Sequence, residues 1–203
     1  MFRPPAFRAD DDDAVELIRD HPLAQLVVVD ADGAPSATPV PLVLRGEALV
    51  GHLARANPVW RHPGRALAIF SGADAYVSPR WYATKEVDGK VVPTWNYVTV
   101  QVAGRLVVHD HPMWTGQVVS DLTDHFESGF TDPWSVADAP DDYVSAMVRG
   151  IVGIELVDLE IVGKLKLSQN RPETDRRRVA EAFATGSPAE RAVARAMDAI
   201  TEV

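Results

Sequence analysis

The sequence contains no cysteine. That absence excludes disulfide frameworks, thiolate zinc sites, iron–sulfur clusters and cysteine nucleophiles together. Basic residues are scarce beside acidic ones: 20 Lys+Arg stand against 29 Asp+Glu, a formal net charge of -9. Such a balance works against a protein whose main partner is a phosphate backbone, where lysine and arginine supply most of the affinity. No apolar run approaches the roughly 18–20 residues that a membrane span requires. Met1-Phe2-Arg3-Pro4-Pro5-Ala6-Phe7 contains no stretch resembling a signal peptide. Familiar catalytic signatures are missing as well: no G-x-G-x-x-G after a strand, no Walker A loop, no H-E-x-x-H and no G-x-S-x-G. A chain without such machinery still hosts chemistry when a cofactor performs it and the protein supplies position. These absences predict an acidic, soluble, cytoplasmic protein without a membrane partner.

What is present suffices for a substantial core. The 203 residues, 46% of them hydrophobic, allow burial of about 70% of the surface that the unfolded chain exposes. Asp10-Asp11-Asp12-Asp13 complements a helix dipole and precedes an apolar stripe, predicting a helix over 11–20 that Pro22 stops. Strands are predicted over 24–29, 35–44 and 48–54. Asp32-Gly33 marks the first turn, and Pro39 and Pro41 place the second strand at a sheet edge or an opening. Asn57-Pro58 reads as an N-cap with proline at the first position of a short helix. Further strands follow over 65–71, 73–78 and 95–108, with Gly104 as a bend. Helical spacing then predicts an insertion over about 111–148, poor in basic residues and rich in aspartate. A strand over 150–162 returns, and a helical pair over about 172–202 closes the chain. The second helix of that pair opens with the capping box Ser187-Pro188-Ala189-Glu190. Six or seven strands with inserted and appended helices predict one α+β domain, 1–203, around a mainly antiparallel β-barrel.

Four segments are unusual for plain structure. In Gly51-His52-Leu53-Ala54-Arg55-Ala56-Asn57-Pro58 a strand ends, an arginine follows and a helix begins. Free N–H groups and a cationic fork are what a phosphate requires, and an ordinary strand-to-helix corner with an exposed arginine has the same composition. Tyr76-Val77-Ser78-Pro79-Arg80-Trp81-Tyr82 and Pro93-Thr94-Trp95-Asn96-Tyr97 combine aromatic walls with polar side chains. That combination suits a planar heterocycle, and equally a hydrophobic mini-core at a barrel end. Lys164, Lys166 and Ser168 alternate on one side of an extended chain, suiting an anion or an exposed edge strand. His109-Asp110-His111 lacks a third ligand nearby and reads as structural or surface, so no metal is expected. Arg176-Arg177-Arg178 reads as a solvated helix face, or as a partner for the acidic 121–142 stretch across a subunit contact, ahead of a nucleic-acid patch.

Taken together, Gly51 to Pro58, Tyr76 to Tyr82, Val92 to Tyr97 and Lys164 to Arg171, with the opening Met1-Phe2-Arg3-Pro4-Pro5, resemble the PaiB family of flavin-binding negative transcriptional regulators. The resemblance runs nearly end to end. It implies a split β-barrel of the pyridoxamine-phosphate-oxidase-like type, a homodimer with flavin mononucleotide (FMN) at the subunit interface. It makes Arg55 and Asn57 candidates for the phosphate end, and Ser78, Trp81, Thr94, Trp95 and Asn96 candidates for the ring pocket. Lys166, Ser168 and Gln169 are candidates to complete that pocket from the same or the partner subunit. The family name implies repression of transcription, and DNA is therefore a partner to test, although the net charge of -9 does not support it. A flavin-dependent oxidoreductase acting on a small molecule is the alternative, and a deazaflavin- or haem-binding split barrel a further one.

Overall fold

The computed structural model describes residues 1–200; the last positions of the expected closing helix, 201 and 202, lie outside the described residues. In chain order the elements are α1 (Asp11–Asp20), β1 (Leu23–Val29), β2 (Pro35–Pro41), β3 (Val43–Arg45), β4 (Ala48–Ala54), β5 (Gly64–Val77), β6 (Thr94–His109), α2 (Pro112–Glu127), α3 (Asp141–Arg149), β7 (Ile151–Lys166), α4 (Glu173–Ala184) and α5 (Pro188–Ala199). The seven strands form one sheet in the order β2-β1-β5-β6-β7-β4-β3. Pairings β1/β2, β1/β5, β3/β4 and β4/β7 are antiparallel.

Local chemistry explains the elements. Asp10 Oδ1 accepts from the Asp13 amide at 2.8 Å and opens α1, whose Ala14 and Ile18 are buried. In the β1–β2 turn, Asp30 Oδ1 accepts from the amides of Asp32 and Ala34, each at 2.9 Å, while Gly33 takes φ +83°. A left-handed backbone there favours glycine. Pro35, Pro39 and Pro41 all lie on β2, at the end of the strand order, where a missing amide donor costs no ladder bond. The residues expected as two strands over 65–71 and 73–78 form the single β5, because Gly72 does not interrupt the ladder. The final strand runs four residues beyond the expected 162, to Lys166. The chain then turns at Ser168, which has φ +67°. Lys164 and Lys166 thus belong to β7, and Ser168 does not continue their extended alternation.

The described residues divide into two compact units. The first comprises Met1–Leu17, Ser71–Val100 and the residues from Val162 onward; the second comprises Ile18–Phe70 and Gln101–Ile161. In the first, α4 and α5 bury Val179, Phe183, Val193 and Met197, and the expected capping box opens α5: the Ser187 amide donates to the Glu190 carboxylate at 2.7 Å. In the second, α2 lays Val118 and Leu122 on Val50 of β4, with Val43 and Trp114 packed against them. Trp114 lies so close to Gly153 of β7 that no side chain fits there. It also stacks on His109, with ring centroids 3.8 Å apart, and His109 Nε2 meets Glu155 at 2.9 Å. The histidine triplet is therefore structural at His109. Among the described residues no helix is long and apolar enough to cross a membrane.

Gly153→Ala should force Trp114 to move and destabilise the protein by about 1–3 kcal/mol, as overpacked cores do, read by urea titration. Gly116→Ala, in α2 with nothing within 4 Å of the added carbon, should instead stabilise it by up to about 1 kcal/mol.

Candidate functional site

In the first unit, the start of β6 and the end of β7 place six of the expected residues together. Lys166 Nζ donates to Thr94 Oγ1 at 2.7 Å and to the Trp95 carbonyl. Asn96 is fully buried; its Oδ1 accepts from Ser168 Oγ at 3.0 Å, and its Nδ2 lies 3.5 Å from Met197 Sδ. Gln169 folds back on its own turn: Oε1 accepts from the Leu167 amide at 2.7 Å and Nε2 donates to the Leu165 carbonyl at 2.6 Å. The left-handed backbone at Ser168 makes that turn and brings its hydroxyl onto Asn96.

A second lysine and an aromatic ring complete this cluster. Lys164, only 9% exposed, donates from Nζ to the Phe2 carbonyl at 3.2 Å. Its ammonium stands 5.2 Å from the centroid of the Tyr97 ring, and that of Lys166 stands 5.8 Å from the same ring, a distance at which the ring quadrupole attracts a cation. Beside them Trp95 is 51% exposed and Tyr76 46%, in edge contact at 6.1 Å. Burial lowers the Lys166 pKa, and the positive charges of Lys164 and Arg171 lower it further. The hydrogen-bond acceptors facing the two lysines are neutral: a hydroxyl and two carbonyls. Three cations held close together, two of them on neutral oxygens, beside exposed rings, make a site suited to a planar ligand with negative charge along one edge.

Ser78 and Trp81 lie in the same unit with structural contacts of their own. Ser78 caps the short 3₁₀ turn Pro79–Trp81, its Oγ accepting from the Arg80 amide at 3.4 Å and also from Arg80 Nε at 3.1 Å. Trp81 packs edge-on against Phe183 of α4, centroids 5.2 Å apart. Asp175 of α4, fully buried, secures the following turn by accepting from the Thr84 amide at 3.0 Å and hydroxyl at 2.8 Å. Neither Asp175 nor the pairing of both lysines with Tyr97 has a local sequence signal, because the partners are separated by 67 to 91 positions.

Arg55 and Asn57 belong to the second unit. Asn57 is the expected N-cap: its Oδ1 accepts from the Val59 amide at 3.0 Å, while Nδ2 donates to Thr38 Oγ1 at 3.0 Å. Arg55 presents its fork to Asp110, Nη2 to Oδ1 at 2.6 Å and Nη1 to Oδ2 at 3.0 Å. This hydrogen-bonded pairing holds the Arg55 pKa above, and that of Asp110 below, their ordinary values. Arg55 Nε also donates to the Arg149 carbonyl at 2.9 Å, and Nη2 to that of Ile151 at 3.1 Å. Asp110, 55 positions away, was not among the residues that the sequence singled out.

The three arginines of α4 have acidic neighbours within the chain. Arg176 approaches Glu173 at 3.3 Å, Arg177 Glu181 at 3.6 Å and Arg178 Glu86 at 3.0 Å. On the acidic insertion, Asp121 pairs with Arg45 at 3.2 Å.

Residues 1–157 match the family described as "Putative FMN-binding domain". An uncharacterized protein of Aspergillus fumigatus is 35% identical over 154 residues, which cover 68% of this chain and 59% of that protein's length. The Bacillus subtilis protein named "Protease synthase and sporulation protein PAI 2" is 31% identical over 165 residues, covering 76% of this chain and 75% of that one. Among solved structures, the FAD and Heme binding protein from Mycobacterium smegmatis superposes with a TM-score of 0.58 at 18% identity, over 90% of this chain and 81% of its own. That likeness concerns the fold, and the class expected from the sequence holds: α+β, a mainly antiparallel split barrel.

Lys166 makes stability depend on pH. Its folded pKa lies below the ordinary lysine value of 10.5, so between the two values the unfolded chain binds the proton more tightly and stability rises with pH. Lys166→Met should remove that rise. The thermal midpoint of the parent should therefore rise relative to that of the variant from pH 7 to pH 10, measured by circular dichroism at matched salt.

Proposed function

Since the chain belongs to the family described as "Putative FMN-binding domain" and has the PaiB-type relative PAI 2, we propose that it binds a flavin, with FMN as the ligand. The observation that carries this reading is the Lys164–Lys166–Tyr97 cluster. Its cations repel one another and are satisfied by neutral oxygens, so an electron-rich heterocycle edge brought to Lys166 gains a charge-assisted hydrogen bond and relieves the repulsion. Exposed Trp95 and Tyr76 offer flat apolar surface beside that donor. Thr94 and the Asn96–Ser168 pair support the lysine and hold the turn that presents it. When bound, the flavin supplies electron-transfer chemistry; this chain's residues bind and orient it.

Arg55 is the candidate for the phosphate, and it is assigned and tested separately from the ring. A homodimer with the flavin at the subunit contact is part of the same reading. So is the view that any regulatory output runs through the ligand rather than through direct DNA contact. The net charge of -9 and the local pairing of Arg176, Arg177 and Arg178 favour it.

Absorbance of the purified protein, before and after adding FMN, should show a bound flavin spectrum. Lack of both the spectrum and any quenching of flavin fluorescence would remove the reading. Lys166→Met should weaken FMN and riboflavin alike by about tenfold or more, the worth of a hydrogen bond to a charged group. Arg55→Ala should weaken FMN much more than riboflavin, and equal loss for both would place Arg55 outside phosphate binding. Light scattering with and without FMN reads the dimer. A promoter-fragment titration across salt concentrations reads direct DNA binding, for which a flat response is expected. Anaerobic reduction by nicotinamide cofactors, followed by an acceptor panel, separates an oxidoreductase from a passive sensor.

A further inference from the structure

Arg55 does more than pair with one carboxylate. Asp110 immediately precedes the helical insertion that α2 opens, and Arg149, Gly150 and Ile151 form the junction where α3 ends and β7 begins. Arg55 touches both ends: its fork holds Asp110 at the entry, its Nε and Nη2 hold the Arg149 and Ile151 carbonyls at the exit, and its own amide donates to the Gly150 carbonyl at 2.9 Å. One side chain thus ties the entry of a segment of about forty residues to its exit.

The two sets of contacts are chemically unlike. The exit is held by backbone carbonyls, which no anion replaces. The entry is held by a carboxylate in the bidentate geometry that a phosphate monoester also adopts on an arginine fork. The Asp110 side chain is 53% exposed and that of Arg55 41%, so a ligand reaches the pair from solvent. A carboxylate and a phosphate dianion cannot both take that edge of the fork.

We propose that Arg55 and Asp110 form a phosphate-displaced clasp: a phosphate monoester takes the fork, Asp110 is released, and the entry of the helical insertion loosens while its exit stays pinned. Asp110 is then a specificity-determining residue, an internal competitor that a phosphate dianion displaces and an uncharged ligand does not. Phosphate occupancy becomes a change in the insertion, as a sensor requires, without any contact to DNA. The release is local. His109 remains stacked on Trp114 and bound to Glu155, and Thr115 Oγ1 donates to the His109 carbonyl at 3.2 Å, so α2 stays on the sheet. By linkage, whatever binding does to the clasp, opening the clasp does to binding.

This inference rests on Arg55 as the phosphate-binding group. Its test is hydrogen exchange by mass spectrometry on the full chain alone and with FMN, riboflavin or inorganic phosphate at matched ionic strength. FMN and inorganic phosphate should raise exchange severalfold in peptides covering 108–116 and leave 147–153 unchanged, while riboflavin leaves both unchanged. Asp110→Asn should show the raised exchange without ligand and no further rise with FMN. It should also bind FMN about two- to fivefold tighter, the scale of an exposed ion pair. The clasp is overturned if FMN binds with a phosphate preference that Arg55→Ala abolishes, yet 108–116 stays as protected as before. It is equally overturned if Asp110→Asn weakens FMN, since Asp110 would then be orienting the fork. A phosphate preference that survives in Arg55→Ala sinks the underlying assignment of Arg55 itself, and the clasp with it. Thermal midpoints of both variants identify any loss that comes from unfolding.

Discussion

Holding two lysines against one tyrosine ring is the constraint on which the candidate site depends. Lys164 and Lys166 are two apart on β7, so their side chains leave the same face of the strand. Charges that close repel, and burial removes the water that would screen them. The protein offsets this cost with the Tyr97 ring, the Phe2 and Trp95 carbonyls and the Thr94 hydroxyl. All of these acceptors are neutral. The cluster therefore keeps its capacity for an anionic partner, which a carboxylate at Thr94 would have consumed. The Asn96–Ser168 bond beneath it is fully enclosed, and the left-handed backbone at Ser168 makes it possible.

The second unit handles Arg55 in the opposite way. The four bonds of the Arg55 side chain reach a carboxylate and two carbonyls, and they join the ends of the helical insertion. Both cationic sites are built by strand ends rather than by loops alone. Strand ends are rigid, and donors placed on them hold their geometry before a ligand arrives. The two differ in what waits at the cation: neutral oxygens at Lys166, a competing carboxylate at Arg55.

Charge distribution bears on function more than net charge does. The arginines of α4 and the aspartates of the insertion look like complementary patches when read along the chain, and the three arginines and Asp121 have ion-pair partners within their own units. Arg178 reaches back to Glu86, and Asp121 reaches Arg45. Exposed pairs of this kind contribute little stability, but they lower the positive potential that a helix face would present to DNA. The proposed flavin-binding role is compatible with this surface.

Periodicity, capping and turn chemistry are local, and they were legible in the chain. The Asp30–Gly33 turn, the prolines that put β2 at a sheet edge, the acidic start of α1 and the Ser187–Glu190 capping box each follow from residues within a few positions of one another. The four motifs that mark the family are also local, and they singled out Thr94, Asn96, Lys166, Ser168 and Gln169, which the fold brings together. Several local readings fail, and they concern where strands end: the strand expected over 35–44 divides into β2 and β3, and Ser168 leaves the extended chain. Gly72 lacked the ladder context that would show β5 running through it, and the strand into Lys166 was cut short at 162. Contacts between distant positions were beyond the sequence: Asp110 on Arg55, Asp175 on Thr84, Tyr97 beneath two lysines. The sequence by itself determined which elements form and which residues have the chemistry. Only the tertiary structure decided which cation is left with neutral partners and which is already paired, because that depends on distances across strands and not on spacing along the chain.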